Sequence, residues 1–91
     1  MKTVLKVELR DHQHDLLVAL AKQTVPVTTA EFDRATGHKY GDQALYEVFA
    51  LFKRKGLADC ESRPVTIKGF IYNRTYWFVE SEVTAFLNQP A

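Results

Sequence analysis

The residues with most chemical reach in this 91-residue sequence are its cations, and they fall in two clusters. Within residues 34–55, Arg34, Lys39, Lys53, Arg54 and Lys55 stand against Asp42 and Glu47, a net of +3. Residues 63–79 add another +3 from Arg63, Lys68 and Arg74, with no acid among them. The whole chain carries only +1, so positive charge is concentrated in the middle and balanced by acids on either side. Clustered Lys and Arg neutralise phosphates and release counterions, which gives affinity for nucleic acid without reading sequence. Reading sequence requires side chains that match base edges. Gln43 has the paired donor and acceptor that suit adenine in the major groove, and Glu47 can accept from the amino group of cytosine. The plain alternative is a solvated surface, in which Lys53, Arg54 and Lys55 complement a helix carboxyl end and Arg63, Lys68 and Arg74 guard a hairpin edge against aggregation.

Other chemistry lacks its parts. His12 and His14 lie two apart, which on a helix points them to different faces and makes a shared metal ion an unsuitable reading. Cys60 is the only cysteine, so no disulfide or thiolate cluster forms within the chain, and its place in a strand-like segment predicts a buried, inert thiol. The turn at residues 37–41 lacks the Lys-Ser or Lys-Thr that follows a nucleotide-binding loop. No Ser/His/Asp spacing or acid pair stands out, so the expectation is a non-enzyme with no cofactor and no metal. Phe70, Tyr72, Tyr76 and Trp77 have the π-faces of a base-stacking platform, but in a domain this small they are expected in the core or at a dimer contact.

The elements that position these groups read as follows. Residues 3–10 alternate Leu5, Val7 and Leu9 with Lys6, Glu8 and Arg10, the period of a short strand. Asp11 is the expected cap of a first helix over about residues 12–23, with Leu16, Leu17, Leu20 and Ala21 on one stripe, ended at Thr24-Val25-Pro26. Thr28-Thr29-Ala30-Glu31 reads as a capping box that starts a short second helix, closed near Gly37. Asp42 is the expected cap of a third helix carrying Leu45, Val48, Phe49 and Phe52 and closed by Gly56. Residues 57–62, 65–72 and 75–80 are strand-like. Two pairings compete: a tight turn at Asn73-Arg74 that sets Phe70 opposite Trp77, or pairing of residues 57–62 with 75–80 across a longer loop. Ser81 is the expected cap of a last short helix over residues 82–87, packing Val83, Phe86 and Leu87.

This order, together with the run Val27-Thr28-Thr29-Ala30-Glu31-Phe32-Asp33-Arg34-Ala35-Thr36-Gly37, resembles the winged helix-turn-helix superfamily of bacterial regulators. Phe49-Ala50-Leu51-Phe52-Lys53-Arg54-Lys55-Gly56-Leu57-Ala58 looks like the exit of their recognition helix into the wing, and Tyr76-Trp77-Phe78-Val79 is similar to the strand that returns from it. The resemblance implies an α+β domain over residues 1–91, with a three-helix core, an N-terminal strand and a C-terminal β-hairpin wing plus short terminal helix. It implies sequence-specific binding of double-stranded DNA, with helix 42–55 in the major groove and wing 62–76 on the backbone or minor groove. The contact residues it implies are Thr29, Gln43, Tyr46 and Glu47 on the helix-turn-helix, and His38, Lys39 and Tyr40 in its turn. Lys53 and Arg54 at the helix exit, and Arg63, Lys68 and Arg74 in the wing, complete the set.

One feature departs from the pattern: the early outward positions of the third helix include Asp42 and Glu47, which repel phosphates. The rival reading is a winged helix that binds another protein through Tyr46, Glu47 and the aromatic hairpin and touches no DNA. A homodimer reading two half-sites is expected, because one small module covers little DNA. At 46 % hydrophobic and 25 % charged the composition is that of an ordinary globular domain. No run approaches the ~18 apolar residues of a membrane span and the opening residues lack a signal-peptide pattern, so a cytoplasmic protein is expected.

Overall fold

The computed structural model describes residues 1–89. It is an α+β arrangement of two antiparallel hairpins and four helices: β1 (Lys2–Val4), β2 (Val7–Leu9), α1 (Asp11–Ala21), α2 (Thr29–Ala35), α3 (Asp42–Arg54), β3 (Ala58–Ile67), β4 (Phe70–Val79) and α4 (Ser81–Leu87).

The N-terminal alternation is not one strand but two, reversed at Leu5 and Lys6, which both take positive φ. The reversal pairs Lys2 with Leu9 and Val4 with Val7, so Val4 and Leu9 face the core together while Thr3 and Glu8 share the opposite face. Neither turn residue is a glycine or asparagine, the usual signal for such a turn, so local sequence gives no warning of it. Leu5, placed on the buried face by simple alternation, is instead exposed.

Arg10 rather than Asp11 caps α1, and its amide donates to Gln13 Oε1 at 3.0 Å; Asp11 is the first helical residue. Leu16, Leu17 and Leu20 are buried as the stripe requires. The capping box of α2 forms as read: the Glu31 amide donates to Thr28 Oγ1 at 3.0 Å, and the Thr28 amide donates to Glu31 Oε1 at 2.9 Å. This arrangement satisfies two amides that the first turn would leave unpaired and contributes about 1 kcal/mol. Gly41, not Asp42, occupies the cap of α3, where its φ of +84° suits glycine alone. Likewise Glu80 precedes α4 in the cap position assigned to Ser81.

Leu45, Phe49 and Phe52 recur at helical spacing on the buried face of α3. Phe49 is their centre. Its ring meets Phe32 edge-on at 5.2 Å, stacks with Phe52 at 6.2 Å and lies 5.8 Å from Trp77. Val27 joins the same cluster through backbone, its amide donating to the Trp77 carbonyl at 3.0 Å and its carbonyl accepting from the Trp77 amide at 2.7 Å. α4 packs on α1 and β1, with Val83 buried at that junction.

The C-terminal hairpin settles the pairing question against a turn at Asn73-Arg74. The reversal lies at Lys68-Gly69, both at positive φ, and the strands run continuously through Pro64. Gly69 makes a two-residue turn of this kind accessible. Residues 57–62 and 75–80 do pair, as in the longer-loop alternative, but the intervening residues are themselves paired strand: Val65 faces Tyr72 and Ile67 faces Phe70. Phe70 is therefore seven rungs from the Cys60–Trp77 pair, not opposite Trp77. Pro64 is tolerated because each strand of a two-stranded ribbon has a free edge. Only the root sits on the core, through Ala58 and Trp77. The rest projects as an arm, in a molecule of 49 × 25 × 22 Å.

Candidate nucleic-acid interface

Three elements converge on one side of α3. Helix α2 with its cap, the first two turns of α3 and the second half of β4 surround a hollow of about 450 Å³, lined by Thr28, Thr29, Ala30, Arg34, Asp42, Tyr46, Arg74, Thr75 and Trp77. Of the residues expected to contact DNA, Thr29, Tyr46 and Arg74 meet here. Tyr46 is 51 % exposed, and its ring stands edge-on to Trp77 at 5.7 Å, so the core fixes one side of it and leaves the other to solvent. The Thr29 hydroxyl donates to the Asp42 carboxylate, which ties α2 to α3 and occupies an acid that would otherwise face an approaching phosphate. Arg34, which is not among the residues the resemblance implies, also lines the hollow; its only signal in the sequence is its place in the basic cluster.

The turn between α2 and α3 is organised by Asp33. Its carboxylate accepts from the amides of Tyr40 at 3.3 Å and Gly41 at 3.1 Å and lies 3.2 Å from His38 Nδ1. Burial pushes this carboxyl up, but the bonds from Gly41, His38 and Tyr40 outweigh it and hold the pKa below its ordinary value of 3.8. His38 itself adopts a positive φ of 59°. His38, Lys39 and Tyr40 are all exposed at this corner. Gln43 and Glu47 are exposed on α3 but do not line the hollow.

Lys53 and Arg54 are not brought to the hollow. They lie at the far end of α3, roughly 16–18 Å along the axis from Asp42 at 1.5 Å per residue. Lys53 is engaged with the root of the arm: its Nζ lies 3.4 Å from Cys60 Sγ and 3.8 Å from Asp59 Oδ1. Hydrogen bonding to Cys60, with the charges of Cys60 and Asp59, raises the Lys53 pKa. Cys60 is half-buried rather than fully buried, because the sheet that carries it is leaving the core.

On the arm, register places Glu61, Arg63, Val65 and Ile67 of β3 on one face with Tyr76, Arg74, Tyr72 and Phe70 of β4. Arg63 pairs with Glu61 and lies over the Tyr76 ring, 4.9 Å from its centroid. Arg74 is directly opposite Arg63, and like charges opposite one another destabilise a ladder. Among the described residues neither Arg74 nor Lys68 forms an ion pair. Of the hairpin aromatics expected in the core, only Trp77 is buried; Tyr76 is half-buried, and Phe70 and Tyr72 are exposed. The amphipathic pattern was legible, but a two-stranded arm has nothing beneath its distal half to bury it.

Among the described residues no three His, Cys, Asp or Glu groups are placed to hold a metal ion, and no helix is long and apolar enough to cross a membrane. No protein-family model matches the chain, and it has no significant match among curated proteins or solved structures.

Proposed function

We propose that this chain binds double-stranded DNA as a winged helix-turn-helix module, with α3 as the reading helix and the β3–β4 arm as its wing. The observation that carries the reading is the convergence of Arg34, Tyr46 and Arg74, from three different elements, on one hollow beside α3. In that arrangement Arg34 and Arg74 contact phosphates, while Gln43 and Tyr46 on the outer side of α3 meet base edges or sugars. The opposed Arg63 and Arg74 support the same reading, since a polyanion between or beside them relieves their repulsion. The function is that of a small transcriptional regulator acting as a homodimer on two half-sites about one helical turn apart.

Protein contact without DNA is the second reading, and it is favoured by one specific observation: Asp42 and Glu47, two acids, are both exposed on the first half of α3. A titration of end-labelled random duplex followed by anisotropy, at roughly 50 and 200 mM salt, separates the two. A DNA binder loses affinity steeply between these conditions. No binding at the lower salt rejects the DNA reading and leaves protein contact in its place.

A further inference from the structure

The arm ends in apolar side chains that nothing in the fold covers. Phe70 is 67 % exposed, Ile71 74 % and Tyr72 52 %, and they follow directly on the Lys68-Gly69 turn. Register divides them. Phe70 and Tyr72 share a face with their partners Ile67 and Val65, so this side of the tip is a continuous apolar strip, bounded by Arg63 and Arg74, the next pair on that face. Ile71 pairs with Thr66 on the opposite face, where the next rungs are Pro64–Asn73 and Ser62–Thr75.

Size and charge decide what this strip meets. Phe70, Ile71 and Tyr72 together expose roughly 300–400 Å², whereas a stable dimer buries about 800 Å² on each partner. The tip is therefore too small to hold two copies together. Between Glu61 and Tyr76 the arm carries Arg63, Lys68 and Arg74 against the one acid, so two arms brought together also repel. The same features suit a nucleic acid duplex: the cations anchor to phosphates on either side of a groove, and one or two apolar side chains suffice to enter between base pairs.

We propose that the arm tip is an apolar wedge for duplex DNA, with Phe70 entering a base step from the minor groove while Arg63, Lys68 and Arg74 hold the flanking phosphates. This rests on the DNA reading above and adds to it: the protein bends its target instead of lying along a straight one. The step it opens is a pyrimidine–purine step, which unstacks at least cost, and an A-tract resists it.

The test uses the full chain with two duplexes of equal length, one with a central TA step and one with an A-tract, each labelled at both ends for energy transfer. Anisotropy reports binding on the same samples. The TA duplex is expected to shorten end to end, consistent with a kink of roughly 20–90°, while the A-tract stays straight. Phe70→Thr, which keeps strand propensity, is expected to abolish the shortening yet change affinity for the A-tract by less than about threefold, since the phosphate contacts remain. Phe70→Leu should restore the bend and Ile71→Thr should leave it intact.

If the wild type binds but the TA duplex stays straight, or Phe70→Thr bends it equally, the wedge is overturned and the DNA reading stands. Binding to neither duplex at low salt overturns both. Sedimentation showing a dimer that Phe70→Thr dissociates also overturns the wedge and makes the tip a contact between copies.

Discussion

Removal of the Arg74 side chain distinguishes anchoring from reading. Arg74 projects from the middle of β4 into the hollow beside α3, and no acid among the described residues neutralises it. If Arg34, Lys39, Arg63, Lys68 and Arg74 each neutralise one phosphate, the logarithm of the association constant falls with a slope of about −4.5 against the logarithm of salt. A fourfold increase in salt then weakens binding roughly 500-fold. Arg74→Ala lowers the slope to about −3.6, and the same increase costs roughly 150-fold. The loss at low salt should be equal on selected and scrambled duplexes, because a phosphate contact carries little sequence information. Anisotropy titrations at four or more salt concentrations measure both quantities. An unchanged slope with reduced affinity on one sequence alone would refute the placement of Arg74 on the backbone. Tighter binding on removal would likewise refute it, because a polyanion that relieves the Arg63–Arg74 repulsion is bound less well once Arg74 is gone.

Gln43→Ala should behave in the opposite way, relaxing discrimination at one base pair by about 1–3 kcal/mol while non-specific affinity is nearly unchanged, as read by competition with single-base variants. Thr28→Ala removes the hydroxyl that accepts from the Glu31 amide and should destabilise the fold by about 1 kcal/mol in urea denaturation; an unchanged midpoint would mean the cap contributes nothing. Asp33 has its pKa depressed in the folded state, so its stabilisation is complete above its ordinary value of 3.8 and is lost as pH falls through the lower folded value. Wild type should therefore lose stability on acidification over that window more steeply than Asp33→Asn, and parallel curves would remove the turn as the cause.

The parts of this fold legible in sequence are those where a local signal and a burial signal coincide. Thr28 and Glu31 stand at the spacing of a capping box, and Leu45, Phe49 and Phe52 stand at helical spacing, so α2 and α3 could be read directly. Where one signal stands alone, sequence and structure part. Alternation over residues 3–10 is equally compatible with a strand or with two strands folded back, and only the burial of Val4 with Leu9 separates them. Asp11, Asp42 and Ser81 each have capping side chains, but each lies one residue inside its helix, where an acid or hydroxyl in the first turn is also favourable. Within the candidate site, the charge run over residues 63–79 matches one hairpin arm, which carries Arg63, Lys68 and Arg74. Lys53 and Arg54, expected at the exit of α3, do lie at that end of the helix, but its length separates them from the hollow that Arg34 of the same cluster lines.

The root of the arm is where α3 and the hairpin are joined. Trp77 is buried, yet it touches Phe49 and Tyr46 on α3, exchanges two backbone bonds with Val27, and belongs to the same strand as Arg74 and Phe70. A displacement at the root would therefore disturb a ring that is packed against α3. Lys53 adds a second tie, from the end of α3 to Asp59 and Cys60 at the start of β3. Beyond these ties the ribbon makes only its own ladder bonds, and an unsupported two-stranded ribbon is marginal in water. A packed root with an unsupported distal half suits the proposed role: Arg74 and Tyr46 line one hollow beside the root, while Phe70 and the opposed Arg63 and Arg74 lie on the part of the ribbon that nothing else in the fold covers.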